Sequence, residues 1–239
     1  MSRISFIFSR SSPLAYLSHL DLMRLFIRAL RRSKLPVAYS EGFNPHPRLN
    51  LALPLPLGVT ASNEPGEVSF SEDVLPERFL QTLGNQLPDG LQLLGAKELD
   101  QGVPSLAAIV SAALYRAELK SAAGCESTIK TLQDALKKLL EREEILAPRS
   151  AKKKNKAVKY INVRPFIIEA ELKNITGGPA VLRLLLKAGS QGGISPAFLL
   201  EQLALEINCE AYRANRWNLH RECLYITNGG ALQPLSEGM

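Results

Sequence analysis

The densest group of side chains that could take part in chemistry lies between residues 16 and 48. It combines two imidazoles, a carboxylate, two hydroxyls and an amide, which belong to His19, Asp21, Tyr39, Ser40, Asn44 and His46. Histidine exchanges protons near neutral pH, so His19 and His46 are candidate catalytic residues for acid–base chemistry such as metal-independent RNA cleavage. The three histidines of the chain are scattered and no carboxylate stands at ligand spacing, so no metal site is predicted.

Basic side chains lie close to this group in the sequence. Arg24, Arg28 and Arg31 follow i, i+4, i+7 spacing, which places them on one ridge of a helix. Such a ridge could follow a phosphate backbone, while Tyr39 and Phe43 could stack on single-stranded bases. The alternative is a solvated helix face, with both aromatic rings packed in the core.

The segment SEGFNPHPRL, residues 40–49, contains one glycine and two prolines and is predicted to be a stiff loop. Positioned loops commonly carry function, which makes this loop a candidate binding element. With the arginine ridge, the predicted binding residues are Arg24, Arg28, Arg31, Tyr39, Ser40, Gly42, Phe43, Asn44, His46 and Arg48. The alternative is that the prolines only rigidify a turn that Asn44 caps.

A glycine-rich loop and a third histidine lie in the second half of the chain. GSQGGISP (189–196) could offer backbone N–H groups to a phosphate, but a loop with an ordinary serine cap is the favoured interpretation. His220, beside Arg221, is predicted to be a surface or hydrogen-bonded residue. The chain contains no GxxxxGK[ST], no GxGxxG after a strand and no HExxH, so no cofactor is predicted.

The elements that must position these residues follow a β-α-β-β-α-β order in the first half. Ser18 is the predicted N-cap of a helix that ends before Pro36. The predicted apolar stripe of this helix is Leu20, Met23, Ile27 and Leu30. The other predicted elements are strands at 3–9, 37–40, 49–57, 67–71 and 91–99 and a helix at 76–87.

The second half repeats this order of elements. It is predicted to contain strands at 113–120, 144–147, 159–172, 181–187 and 219–227 and helices at 126–143 and 196–206. We therefore predict an α+β fold of two tandem ferredoxin-like (βαββαβ) lobes with antiparallel sheets. The predicted domains are 1–102, which holds the candidate residues, and 103–239, which holds a lysine-rich loop near 149–159.

Composition and charge narrow the class of protein. With 239 residues, 46% of them hydrophobic and 22% charged, the chain is typical of globular proteins. Three separated cysteines predict no disulfide framework, and no apolar run is long enough for a bilayer, so a cytoplasmic location is expected. Residues 1–50 hold eight Lys/Arg against two acids, a net +6 that suggests a polyanionic partner or, alternatively, a solvated surface.

The stretch YLSHLDLMRLFIRALRRSKLPVAYSEGFNPHPRLNLALPLPLGVTASNE, residues 16–64, resembles the radical-SAM-linked family of bacterial proteins, whose function is unknown. RPFI at 164–167 and HRECLYI at 220–226 resemble it less strongly. Family members occur alone or fused to a radical SAM protein, and they are often encoded near a ribonuclease and ribosomal protein genes. The resemblance thus implies a radical SAM protein as partner and an association with RNA. This chain lacks a CxxxCxxC cluster motif, so radical chemistry would take place in the partner.

From these features we expect a non-catalytic accessory or substrate-presenting partner of a separate radical SAM enzyme, acting on RNA or ribosome-related substrates. The alternative is an RNA-binding protein or metal-independent endoribonuclease that uses His19 or His46. Tandem ferredoxin-like lobes are also similar to the CRISPR repeat-processing endoribonucleases, but that is an analogy of fold, and folds do not determine functions.

Overall fold

Two compact units divide the chain, and the first of them is discontinuous in sequence. Residues Met1–Ala113 and His220–Met239 form the first unit, and Leu114–Leu219 form the second. The computed structural model describes residues 2–100, 102–120, 129–149, 159–173 and 179–236. Residues 150–158 of the predicted lysine-rich loop lie outside this range. The predicted domain limits, 1–102 and 103–239, stay a prediction.

The described residues form a mixed α/β structure with mostly antiparallel strand pairing and five α-helices. The elements of the first half are β1 (Arg3–Arg10), α1 (His19–Ser33), β2 (Leu49–Leu51), β3 (Val59–Ser69), α2 (Pro76–Gly84), β4 (Leu91–Glu98) and α3 (Leu106–Ile109). Those that follow are β5 (Val110–Leu119), α4 (Ile129–Glu141), β6 (Leu146–Arg149), β7 (Lys159–Asn162), β8 (Ile167–Lys173), β9 (Val181–Lys187), α5 (Pro196–Ile207), β10 (Trp217–Asn228) and β11 (Ala231–Pro234). The first six elements have the expected β-α-β-β-α-β order, whereas the tandem ferredoxin-like topology stays a prediction.

The sheet of the first unit is built around β1 and β3. β1 lies between β4 and β3 and is antiparallel to both, with Ile4 opposite Val68 of β3 and Glu98 of β4. β2 pairs antiparallel with the end of β3, where Leu51 lies opposite Gly66. The predicted strand at 49–57 is therefore too long, because Pro54 and Pro56 supply no N–H for further ladder bonds.

Five phenylalanines form the centre of the first unit's core. They are Phe6 and Phe8 of β1, Phe26 of α1, Phe70 directly after β3, and Phe79 of α2, all of which are buried. The ring of Phe6 lies 5.6 Å from that of Phe26 and 5.5 Å from that of Phe79, measured between centroids. Tilted aromatic pairs at such distances add stability beyond the area that they bury. Both helices are thereby packed on the same strand.

Helix α1 begins as predicted but buries a different stripe. The Ser18 hydroxyl accepts a hydrogen bond from the backbone N–H of Asp21 at 3.1 Å, which confirms Ser18 as the N-cap. The buried side chains of the helix are Leu22, Phe26, Ala29, Leu30 and Ser33. The expected stripe is wrong at Leu20, which is 65% exposed. Leu22 lies on the buried face, and Leu20 points to the opposite side because two residues of helix correspond to a rotation of about 200°.

The second unit contains an antiparallel β8–β9 pair, a separate β6–β7 ribbon and the contacting helices α4 and α5. Strand β9 and helix α5 match the predicted segments 181–187 and 196–206 closely. Cys209 is disulfide-bonded, while Cys223 of the first unit carries a free thiol. Separated cysteines predict no disulfide framework, yet Cys209 forms a disulfide, since distance along a sequence does not set distance in a fold.

Replacing Gly66 by alanine tests how tightly β3 packs on β1. A Cβ at Gly66 would lie 2.4 Å from the Phe6 ring, so we expect Gly66→Ala to lower the free energy of unfolding by about 1–3 kcal/mol. The control is Gly84→Ala at the end of α2, where a Cβ meets no atom within 4 Å and where we expect a gain of about 0.4–1 kcal/mol. Urea unfolding of both variants measures the difference, and equal stabilities would contradict this packing.

Candidate functional site

The predicted stiff loop is an arm, which we define as residues 39–47. Tyr39 and Pro47 form an antiparallel bridge at its base, so the predicted strand at 37–40 is reduced to isolated bridges. The backbone N–H of Ser40 donates to the His46 carbonyl at 2.9 Å, and the His46 N–H donates to the Ser40 hydroxyl at 3.1 Å. The Ser40 hydroxyl also lies 2.9 Å from Nδ1 of His46. Three hydrogen bonds across the arm hold its two sides together.

The tip of the arm presents an aromatic ring to solvent. Gly42 has a φ of +119°, a conformation that side-chain-bearing residues rarely adopt, and it turns the chain immediately before Phe43. Phe43 is fully exposed, and Tyr39 at the base is 42% exposed. Asn44 is also exposed. The alternative that Tyr39 and Phe43 pack in the core is therefore wrong.

The predicted arginine ridge lies on the exposed side of α1. Arg24, Arg28 and Arg31 are all exposed. Arg24 forms an ion pair with Asp21 at 3.1 Å, and Nε of Arg28 donates to the Arg24 carbonyl at 3.3 Å. Hydrogen bonds from Ser18 and Arg24 lower the pKa of Asp21. The carboxylate of Asp21 thus neutralises one end of the ridge, while the rest of it faces solvent.

Three cavities border the ridge and the arm. A cleft of about 660 Å³ lies beside α1 and is lined by Arg28, Arg32 and the apolar side chains of Leu17 and Leu25. A cavity of about 270 Å³ is lined by Arg31, Tyr39 and Pro47. A third, of about 340 Å³, is lined by His46, Pro47 and Arg48. Arm residues therefore line two separate cavities, and each of these two also has an arginine in its wall.

A buried ion pair lies beneath the proline-rich segment that follows β2. The guanidinium of Arg221 contacts both carboxylate oxygens of Glu64, at 2.7 Å from Nε and 2.5 Å from Nη2. The side chains are 0% and 2% exposed. The same guanidinium donates to the backbone carbonyls of Leu53 and Pro54. Arg221 therefore holds this segment through its backbone.

A second buried guanidinium supports the same segment. Arg10 donates from Nη2 to the carbonyls of Pro56 and Val59, at 2.9 and 2.6 Å, and from Nη1 to that of Leu17 at 3.2 Å. Within the described part of the chain, its Nε has no hydrogen-bond partner. Burial lowers the pKa of Arg10, an effect that Glu64 opposes and the nearby charge of Arg221 reinforces. Two cations thus share one buried carboxylate.

The two candidate catalytic histidines are not brought together by hydrogen bonding. Nδ1 of His19 is buried and has no hydrogen-bond partner among the described residues, whereas Nδ1 of His46 contacts Ser40. Burial, followed by the positive charge of Arg221, lowers the pKa of His19. His19 therefore favours its neutral form, in which one ring nitrogen accepts and the other donates.

The remaining candidates have ordinary structural surroundings. Both ring nitrogens of His220 lie near hydroxyls, 2.8 Å from Thr60 and 3.1 Å from Ser62, which confirms that it is hydrogen-bonded. The expected serine cap is wrong in its hydrogen bond: Ser195 is at the N-cap of α5, but its side chain makes no capping hydrogen bond. Within the described ranges, no three His, Cys, Asp or Glu side chains gather as a metal site would require, and no helix could cross a membrane.

The match to a known family covers most of the chain. Residues 3–196 match the model of a family described as "Uncharacterized protein conserved in bacteria (DUF2344)". The chain belongs to this family. The arm, the arginine ridge and Glu64 all lie inside the match, whereas Arg221 lies beyond its end. No curated protein is similar enough to match this DUF2344 protein.

Removing the buried guanidinium tests its structural role. We expect Arg221→Met to lower the free energy of unfolding by about 3–5 kcal/mol, because Glu64 would stay buried without its partner. The control is Arg116→Ala, which removes an exposed pair with Glu118 and should cost about 0–1 kcal/mol. Urea unfolding compares the two, and similar losses would contradict a structural role for the buried pair.

Proposed function

We propose that this DUF2344 protein presents single-stranded RNA to a separate radical SAM enzyme, as a cytoplasmic accessory subunit without a reaction of its own. The observation that carries the RNA part is the arm, whose fully exposed Phe43 stands on a braced loop. The similarity of residues 16–64 to the radical-SAM-linked family supports the partner class. Two tandem ferredoxin-like lobes are the proposed architecture, which the element order of residues 3–98 supports in the first half.

The geometry of the arm suits stacking on a base. Every base has a π-face, so an exposed aromatic ring can bind single-stranded RNA with little sequence preference. Because the arm is braced by the Ser40–His46 hydrogen bonds, little conformational entropy is lost when a base stacks on Phe43. A stiff arm therefore presents its ring at a low entropic cost.

The charges around the arm suit the RNA backbone. Arg31 lines the cavity on one side of Pro47, and Arg48 lines the cavity on the other. Arg28 extends the positive charge along α1 to the cleft of about 660 Å³. Cations spaced along a surface bind phosphates by releasing condensed counterions, and that binding weakens as salt rises. We propose that a strand runs along α1 with one base on Phe43.

Replacing Phe43 by alanine tests the stacking. We expect Phe43→Ala to weaken binding of a single-stranded RNA of about 12 nucleotides by about 5- to 150-fold, because one stacked base is lost. Fluorescence anisotropy at several salt concentrations measures the affinity and its salt dependence. Tyr160→Ala is the matched control, since it removes another exposed aromatic ring, on β7. Equal losses for the two variants would contradict a specific role for the arm.

The same samples decide between presentation and cleavage. A metal-independent endoribonuclease would cut the RNA in the presence of EDTA, with His19 or His46 as its acid or base. The orientation of His46 by Ser40 is the one observation that favours this alternative. RNA that stays intact while bound supports presentation, and EDTA-resistant cleavage by the wild type that His46→Ala abolishes would replace it with the alternative.

Recovery of the tagged protein from its native host tests the partner. We expect a radical SAM protein in near-equal amounts, identified by mass spectrometry, because an accessory subunit has to form a complex with its enzyme. Treatment of the lysate with ribonuclease is the control that separates a protein contact from a shared RNA. Ribosomal or RNA-processing proteins alone would contradict the radical SAM partner and leave the RNA part of the proposal standing.

A further inference from the structure

The cavity of about 340 Å³ beside the arm has a carboxylate in its wall. Glu67 of β3 is 4% exposed and forms an ion pair with Arg3. Its Oε2 also accepts from the backbone N–H of Leu106 at 3.3 Å. Its Oε1 accepts one hydrogen bond, from Nδ2 of Asn50 at 3.1 Å. The carboxylate is therefore fixed in place by three groups.

One acceptor position of Glu67 remains for a ligand. A carboxylate oxygen can accept two hydrogen bonds, and the described residues supply Oε1 with one. A ligand that donates an N–H to this oxygen would complete its hydrogen bonding. A ligand that places a carbonyl oxygen at this position would be repelled by Oε1, because neither oxygen carries a hydrogen to share. The cavity therefore distinguishes donors from acceptors.

The rim of the same cavity is positive. The guanidinium of Arg48 is exposed, and the described residues supply no hydrogen-bond acceptor for it. His46 uses Nδ1 toward Ser40, which leaves Nε2 for other contacts. A volume of about 340 Å³ falls in the range of small-molecule sites and suits a single nucleotide. One cavity thus contains a carboxylate that can accept from a ligand N–H, at Glu67, and a positive rim that can bind a phosphate, at Arg48.

We propose that this cavity binds one nucleotide of the RNA and selects a base that carries an exocyclic amino group. The amino N–H donates to Oε1 of Glu67, and the phosphate lies at Arg48. Acidic side chains accept from the cytosine amino group in the same manner. This inference rests on the proposed function, since it names the base that the presented strand offers next to the arm.

Cytosine and uracil make the sharpest test, because they have the same shape and opposite hydrogen-bonding groups. Cytosine carries an amino donor where uracil carries a carbonyl oxygen, and N3 accepts in cytosine but donates in uracil. We expect the wild-type protein to bind oligocytidylate about 10- to 150-fold more tightly than oligouridylate of equal length, as expected for one hydrogen bond to a charged group. Fluorescence anisotropy at neutral pH measures both affinities. Equal affinities or a preference for uridylate would overturn the base selection while leaving RNA presentation intact. Failure to bind either oligonucleotide would overturn RNA presentation as well.

Two variants assign the selection to its residues. Glu67→Gln should reduce the ratio of the two affinities toward one, because an amide can accept from cytosine or donate to uracil. Arg48→Gln should weaken both oligonucleotides by the same factor and leave their ratio unchanged, because a phosphate carries no base identity. A ratio that changes in Arg48→Gln would overturn this division of roles. The wild-type comparison keeps the inference testable even if Glu67→Gln fails to fold, since Glu67 also pairs with Arg3.

Discussion

The first unit depends on one buried carboxylate, that of Glu64, and on the two guanidiniums that share its charge. The segment between β2 and β3 contains Pro54 and Pro56, which have no N–H and cannot join a strand ladder. Carbonyl groups in such a segment still need donors if they are to leave water. Arg10 and Arg221 supply those donors from below, and Glu64 makes it possible to bury the Arg221 guanidinium. Each of the three charges would be costly to bury alone, so removing any one of them destabilises the burial of the other two.

The buried arginines and the exposed arginines of the first unit have different partners. Arg10 and Arg221 are fully buried and positively charged, yet every hydrogen bond described for them goes to the protein's own carbonyls or to Glu64. Arg28, Arg31 and Arg48 are exposed, and each lines one of the three cavities. Residue type alone therefore does not distinguish a structural arginine from one that can meet a phosphate; burial and partners do.

Local pattern was enough to predict several elements. Ser18 is predictable as a cap because a hydroxyl before an apolar repeat has a local partner three residues later. Strand β9 and helix α5 are predictable for a similar reason, since their periodicity and the proline near the start of each are visible within one segment. The predicted stripe of α1 is wrong at Leu20, because the face of a helix that is buried depends on the strand against which it packs.

The buried charges could not be predicted in the same way. Glu64 and Arg221 are separated by 157 residues, and no local sequence pattern around either residue predicts that they pair. The sequence does not single out Glu67 either, because a carboxylate that alternates with apolar residues in a strand is typical of a solvent-facing position. Its burial becomes evident only when Arg3 and Asn50 are seen around it. The arm was found because its glycine and prolines carry conformational information of their own, whatever surrounds them.

The discontinuity of the first unit has a consequence for synthesis on the ribosome. Domains usually fold as units while the chain emerges, beginning from the N-terminus. Here the carboxylate of Glu64 leaves the ribosome 157 residues ahead of the guanidinium that neutralises it. The proline-rich segment therefore emerges before Arg221, one of its two buried donors, and the whole second unit is translated in that interval. The ion pair of Glu64 and Arg221 therefore cannot form until the second unit has been translated.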